Sequence, residues 1–206
     1  MTMISRLTRL AAVATATLAP VAALAHHPTG GETPATFVNG FLSGIGHPVI
    51  GIDHLAFVVA AGAVAALAGQ KLWLPLVFVA ASMIGVLIHV QAVDLPVVEI
   101  VIALSVLAAG ALLASGREVA VGGWAGLFAL AGLFHGHAYG EAVYGAGAMP
   151  VVAYLLGLAL VQSAIAIGVM LLLRHRAAVA SAVEPRLAGA FAVGVGLSAL
   201  AGNIFG

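Results

Sequence analysis

Six apolar runs, most of them close to twenty residues long, follow one another from residue 51 to residue 205. They cover roughly 51–68, 72–92, 96–114, 119–138, 148–173 and 187–205. A helix needs about 20 residues to cross the ~30 Å of hydrocarbon in a bilayer. Backbone in lipid must satisfy its own hydrogen bonds, which uninterrupted apolar runs do as helices. The chain therefore reads as all-α, a polytopic membrane helix bundle with six transmembrane helices. The polar inventory agrees. Only 7% of the residues are Asp, Glu, Lys or Arg, against about a quarter in a soluble domain. No Gly/Ser linker or charge run divides the spans, so residues 26–206 form one transmembrane domain with the lipid bilayer as its partner. The 26 glycines suit the close backbone approach that helices make in lipid.

Residues 1–25 read as a cleavable N-terminal signal peptide. Arg6 and Arg9 are basic, Leu10 to Leu24 is mostly Ala, Val, Leu and Thr, and Ala23-Leu24-Ala25 is an A-x-A cleavage site. The mature chain then begins at His26, outside the cytoplasm. Residues 34–46 are less apolar and read as a short re-entrant or interfacial helix before the first span. Pro48 disfavours helix at His47 and is expected to end it. Basic residues set the orientation. Lys71, Arg117, Arg174, Arg176 and Arg186 all fall in loops that are cytoplasmic when the mature N-terminus is periplasmic, as the positive-inside rule requires. This places the protein in a bacterial inner membrane.

Several functions are excluded at this level. Net charge is zero with His neutral, so nothing points to nucleic acid. Cysteine is absent, which removes thiolate metal sites, disulfides and Cys nucleophiles. No G-x-x-x-x-G-K-[ST] loop exists, so the chain itself holds no nucleotide. No prosthetic group is expected.

Against this background two polar patches stand out. One reads His47-Pro-Val-Ile-Gly-Ile-Asp53-His54, the other Phe134-His135-Gly-His137-Ala-Tyr-Gly-Glu141. Ionisable groups in hydrocarbon are costly and mark functional sites. With the spans as read, both patches lie at the outer end of the bundle, together with His89. On a continuous helix His47 and His54 share a face, as do His137 and Glu141, whereas His135 points away from His137. Neutral imidazole with carboxylate is a borderline donor set that suits Ni, Zn, Cu(II), Fe(II) or Co. The candidate metal ligands are His47, Asp53, His54, His135, His137 and Glu141. His89 reads as an interhelical hydrogen bonder or a weaker ligand. Asp94 and Glu99 read as interfacial, and His175, between two arginines, as solvated.

These residues carry a resemblance. His47-(five residues)-Asp53-His54 and the segment from Phe134 to Glu141 resemble the two motifs of the HupE/UreJ family. Those are H-x5-D-H and F-H-G-x-A-H-G-x-E, with Tyr139 here where the family has its second His. The resemblance implies a signal peptide or leading helix, about six further spans, and a hydrogenase or urease accessory protein that acts as a nickel permease. On this reading the protein is not an enzyme and has no catalytic residues. It imports a divalent transition-metal ion, nickel first and cobalt second, through a His/carboxylate site at the periplasmic end. Tyr139 is a poor ligand for a divalent cation at neutral pH and weakens the expectation of nickel specificity. The alternatives are an intramembrane zinc-dependent hydrolase built from the same residues and a haem-binding cytochrome.

Overall fold

The computed structural model describes residues 32–67, 72–177 and 183–205, and within these every regular element is helical. In chain order they are α1 (Phe37–Ile50), α2 (Ile52–Leu67), α3 (Trp73–Val90), α4 (Val98–Ser115), α5 (Val121–Gly140), a 3-10 turn (Glu141–Val143), α6 (Ala148–Ala177) and α7 (Val183–Phe205). The expected signal peptide, His26, His27 and Lys71 lie outside the described residues.

Helices α2 to α7 fall on the six apolar runs, and four of them are long and apolar enough to cross a membrane unaided. These are Trp73–Val90, Val98–Ser115, Ala148–His175 and Arg186–Phe205. The pair α1 and α2, taken as one broken span, makes a fifth. By length and hydropathy the described residues thus give four or five candidate spans, against the six expected. α2 alone has only 16 residues. α5 has 20, but its imidazoles and glycines lower its hydropathy. The polar residues that build a site are the ones that weaken the span carrying it.

The first turn of the chain also departs from expectation. The helix expected to stop before His47 runs through Pro48 to Ile50. Thr36 caps its start, its hydroxyl accepting from the Asn39 N–H at 3.2 Å. The break comes at Gly51, which is extended (φ −73°, ψ 105°), and α2 leaves at 81° to α1. The lost Pro48 N–H shortens the hydrogen-bond ladder without ending it. Gly51 matters because a methyl there would lie 2.5 Å from the His54 ring. Its missing side chain lets His54 and Asp53 fold back over the bend.

Packing then converges the polar residues. α3 lies most closely along α5, α4 along α7 and α1 along α6. At Gly136, between the two histidines of α5, an added Cβ would run into the backbone of Ser82 on α3. That close approach brings the end of α3 within reach of α5. The apolar core holds Phe57, Phe78, Phe128 and Trp124 with small residues around them.

Candidate metal site

The first patch and the second meet at one end of the bundle. His54, at the start of α2, places Nδ1 at 2.8 Å from Nδ1 of His135 on α5. His47, at the end of α1, lies with its ring centroid 6.0 Å from that of His54. Tyr139 packs between them, with centroid distances of 5.0 Å to His47 and 4.4 Å to His54. All four side chains are buried. Asp53, half-buried in the first turn of α2, accepts the His54 backbone N–H at 2.8 Å. A carboxylate there faces the positive end of the helix dipole.

The hydrogen-bond partners assign the tautomers. In the neutral form, which is the one that binds a metal ion, each ring carries one N–H and one lone pair. The Ser105 hydroxyl donates to the Ile102 carbonyl at 2.7 Å. It must therefore accept from His135 Nε2–H, 3.0 Å away. His135 then presents a lone pair at Nδ1, and His54 donates to it from its own Nδ1–H. His54 is left with Nε2 as its basic nitrogen. The same logic applies to His47. The Tyr154 hydroxyl donates to the Tyr139 carbonyl at 2.8 Å, so His47 Nδ1–H donates to that hydroxyl at 2.9 Å. Nε2 of His47 is again the basic nitrogen. Two imidazoles are thus oriented through Nδ1 by a hydrogen-bonded neighbour, the arrangement by which ligating histidines are held in metal sites.

Gln162 on α6 extends the network. The Ser82 hydroxyl donates to the Val79 carbonyl at 2.8 Å and lies 2.9 Å from the Gln162 amide. The Tyr139 hydroxyl also borders that amide. Among the described residues, the Tyr139 hydroxyl and Gln162 Nε2 are both buried without a hydrogen-bond partner. Beneath His135 the rings of Phe57 and Phe78 sit at 4.9 and 5.4 Å. Phe128 follows at 5.8 Å from Phe57, and Trp124 at 6.0 Å from Phe128. Trp124 in turn lines a cavity of about 410 Å³ at the opposite end of the bundle, with Arg117 and Arg186 on its wall.

The two remaining candidates stand elsewhere. His137 points away from His135, as a separation of two residues on a helix dictates. It pairs with His89 of α3 at 3.4 Å between Nδ1 atoms and donates from Nε2 to the Val93 carbonyl at 2.9 Å. Glu141 is exposed, at the start of the 3-10 turn. It also falls one position before the Glu of the family pattern, a place taken here by Ala142. Among the described residues no three His, Asp or Glu side chains already stand close enough together to hold an ion. Asp94, Glu99 and His175 are exposed, as expected. Ser105, Tyr154, Gln162 and Ser82 were not singled out from sequence. Hydroxyl and amide residues in apolar helices are common, and only the helix pairing reveals which of them face a histidine.

The chain can now be set beside known proteins. A relative, Protein HupE from Rhizobium leguminosarum bv. viciae, is 35% identical over 130 residues, which are 61% of this chain and 65% of that protein. The chain thus spans less than two thirds of that relative's length. No solved structure matches it. The family described as HupE / UreJ protein matches residues 13–199. The H-x5-D-H patch, the Phe134–Glu141 patch and this match over nearly the whole length lead to one assignment: the chain belongs to the HupE / UreJ family.

Proposed function

We propose that the protein is a bacterial inner-membrane permease that imports a divalent transition-metal ion, nickel first and cobalt second. The mature N-terminus and the histidine-bearing end face the periplasm, and α5 with the α1–α2 pair completes six crossings. The observation that carries this reading is the buried His47–His54–His135 group. Its hydrogen bonds leave the Nε2 atoms of His47 and His54 basic.

An incoming ion would exchange water for these two nitrogens and the Asp53 carboxylate. His135, hydrogen-bonded to His54, acts as the partner that orients it. The donor set is the borderline one that Ni²⁺ and Co²⁺ favour. The ion must then pass Phe57, Phe78 and Phe128, whose rings close the route toward the cavity at Arg117 and Arg186. Transport on this reading requires those rings to part, opening the histidine group to the other side. A membrane potential negative inside favours entry by about 2.3 kcal/mol per charge per 100 mV, and twice that for a dication. Family membership lends the zinc-hydrolase alternative no support.

Uptake into proteoliposomes tests the reading. Wild-type protein should accumulate nickel and cobalt, and His54→Ala should reduce both to the leak of empty liposomes. Equal uptake by wild type and His54→Ala would sink the ligand assignment. A wild type that accumulates neither metal would sink the transport reading.

A further inference from the structure

We infer that His89 and His137 form a second divalent-metal site, a two-imidazole chelate at the rim of the bundle, separate from the buried His47–His54 group. The inference deepens the proposed transport reading by giving the ion a first station. Its chemistry, however, stands on the rim geometry alone.

The Nδ1 atoms of His89 and His137 are 3.4 Å apart. That is a long hydrogen bond, beyond the roughly 2.7–3.2 Å of N–H···O bonds. It matches two nitrogens bound at about 2.0–2.1 Å to one tetrahedral ion, which stand roughly 3.3–3.4 Å apart. The rings meet edge to face with centroids 4.5 Å apart, so both Nδ1 atoms address the same small region.

The tautomer of His137 is already the binding one. Its Nε2–H donates to the Val93 carbonyl at 2.9 Å, which leaves the lone pair on Nδ1. A backbone carbonyl on the far nitrogen is the usual support of a ligating histidine. His89 donates from Nδ1 when the site is empty. On loading it carries its proton on Nε2 instead, so both Nδ1 atoms bind and neither neutral ring releases a proton. Glu141 and Asp94 are both exposed, and both act electrostatically on His89. Their negative charge offsets that of a dication on the open side. Tyr144 stacks edge-on to His89 at 5.5 Å. The absent side chain of Gly140 leaves room for His89, since a Cβ there would lie 2.5 Å from the His89 Cβ. The donors are two imidazoles with carboxylate charge on the open side, so the ligand class is a borderline divalent ion such as Co²⁺, Ni²⁺ or Zn²⁺.

Co²⁺ is the probe of choice, because its visible absorption reports coordination geometry as well as occupancy. The full chain, purified in detergent, is titrated with Co²⁺ beside His89→Gln, His137→Gln and His54→Gln. Wild type should show a tetrahedral component. Losing even an outer partner of a metal site costs about ten- to a hundredfold in affinity, so loss of either rim ligand should remove that component within the same titration. His54→Gln leaves the rim intact and should retain it. If His89→Gln and His137→Gln keep the wild-type spectrum and stoichiometry, the rim site does not exist. Should both rim variants fail to fold, His54→Gln decides alone: loss of the tetrahedral component there overturns the inference. Rim binding that persists in a protein inactive in proteoliposomes would overturn the transport reading and leave the rim site standing.

Discussion

His135 and His137 sit two residues apart on α5, and each faces a second histidine across a helix interface. The two pairs are built to different standards. The His54–His135 pair is closed at 2.8 Å and seated on the stacked rings of Phe57 and Phe78, with Ser105 behind it. The His89–His137 pair is open at 3.4 Å, half-buried on the His89 side, and backed by a carbonyl of the loop between α3 and α4. A helix turns about 100° per residue, so two positions suffice to aim imidazoles at different neighbours. One short motif therefore serves two environments. In the dry one, unmade hydrogen bonds are expensive and the rings are locked. In the wet one, a pair can wait open, with nearby carboxylates to receive a charge.

The largest expected effect comes from breaking each pair at its α5 member. His135→Leu removes the acceptor that orients His54 and leaves a buried N–H without a partner. Uptake should fall about ten- to a hundredfold at every metal concentration, the cost of losing a partner of a ligating histidine. His137→Leu should raise the half-saturating concentration and leave the maximal rate close to wild type. Proteoliposome uptake measured over a range of Ni²⁺ separates the two. If both variants shift the same parameter, the pairs are not distinct stations.

Acidity should have the next largest effect. A ligating imidazole must be neutral, so protons compete with the metal. With histidine titrating near 6.5 in water, uptake is full at pH 8 and falls as pH drops through about 6. Where two imidazoles must both be deprotonated, the fall approaches about a hundredfold per pH unit well below their pKa values. Rates measured from pH 5 to 8 with the internal pH held constant test this. A flat profile would remove histidine from the ligand set.

Ser105→Ala sharpens the comparison on the buried side alone. The hydroxyl that fixes the His135 tautomer is lost, and a buried donor is left unmade at a cost of about 1–3 kcal/mol. Thermal unfolding in detergent should show that loss, and metal affinity at the buried group should drop about tenfold. The Co²⁺ spectrum assigned to the rim should not move. A change there would mean that the pairs are coupled through α5.

Much of this was legible in the sequence, and the limits are instructive. Helices α2 to α7 fall on the six apolar runs, because lipid leaves a long apolar segment no alternative to helix. The divergence of His135 and His137 followed from helical periodicity. Three things did not follow. The helix runs through Pro48 because a proline removes one hydrogen bond, and the bend falls instead at Gly51, where a side chain would strike the His54 ring. Glu141 caps α5 in helical geometry, four residues on from His137, yet it is exposed where His137 is buried, because α5 gives way to the 3-10 turn there. The partnerships of Ser105 with His135 and Tyr154 with His47 depend on which helices lie side by side, and no local pattern encodes that.

The smallest predicted effect concerns the loop that carries Val93. Two of its residues are left-handed without being glycine, Ala92 at φ 58° and Val97 at φ 52°. A β-branched residue in that region is strained by roughly 1–3 kcal/mol. Nothing comparable occurs on the buried side, where every histidine sits on regular helix. Strain at a loop persists only when surrounding contacts hold it, and here His137 grips the loop through Val93. Val97→Gly should relieve that strain while adding about 0.5–1 kcal/mol of chain entropy to the unfolded state. The net gain in thermal stability is then about 1 kcal/mol or less. The informative readout is the rim. If the strain helps hold the Val93 carbonyl against His137, Val97→Gly weakens Co²⁺ binding at the rim while stability rises, and the His54–His135 pair is unaffected. If both readouts stay at wild type, the loop conformation carries no strain that bears on the rim pair.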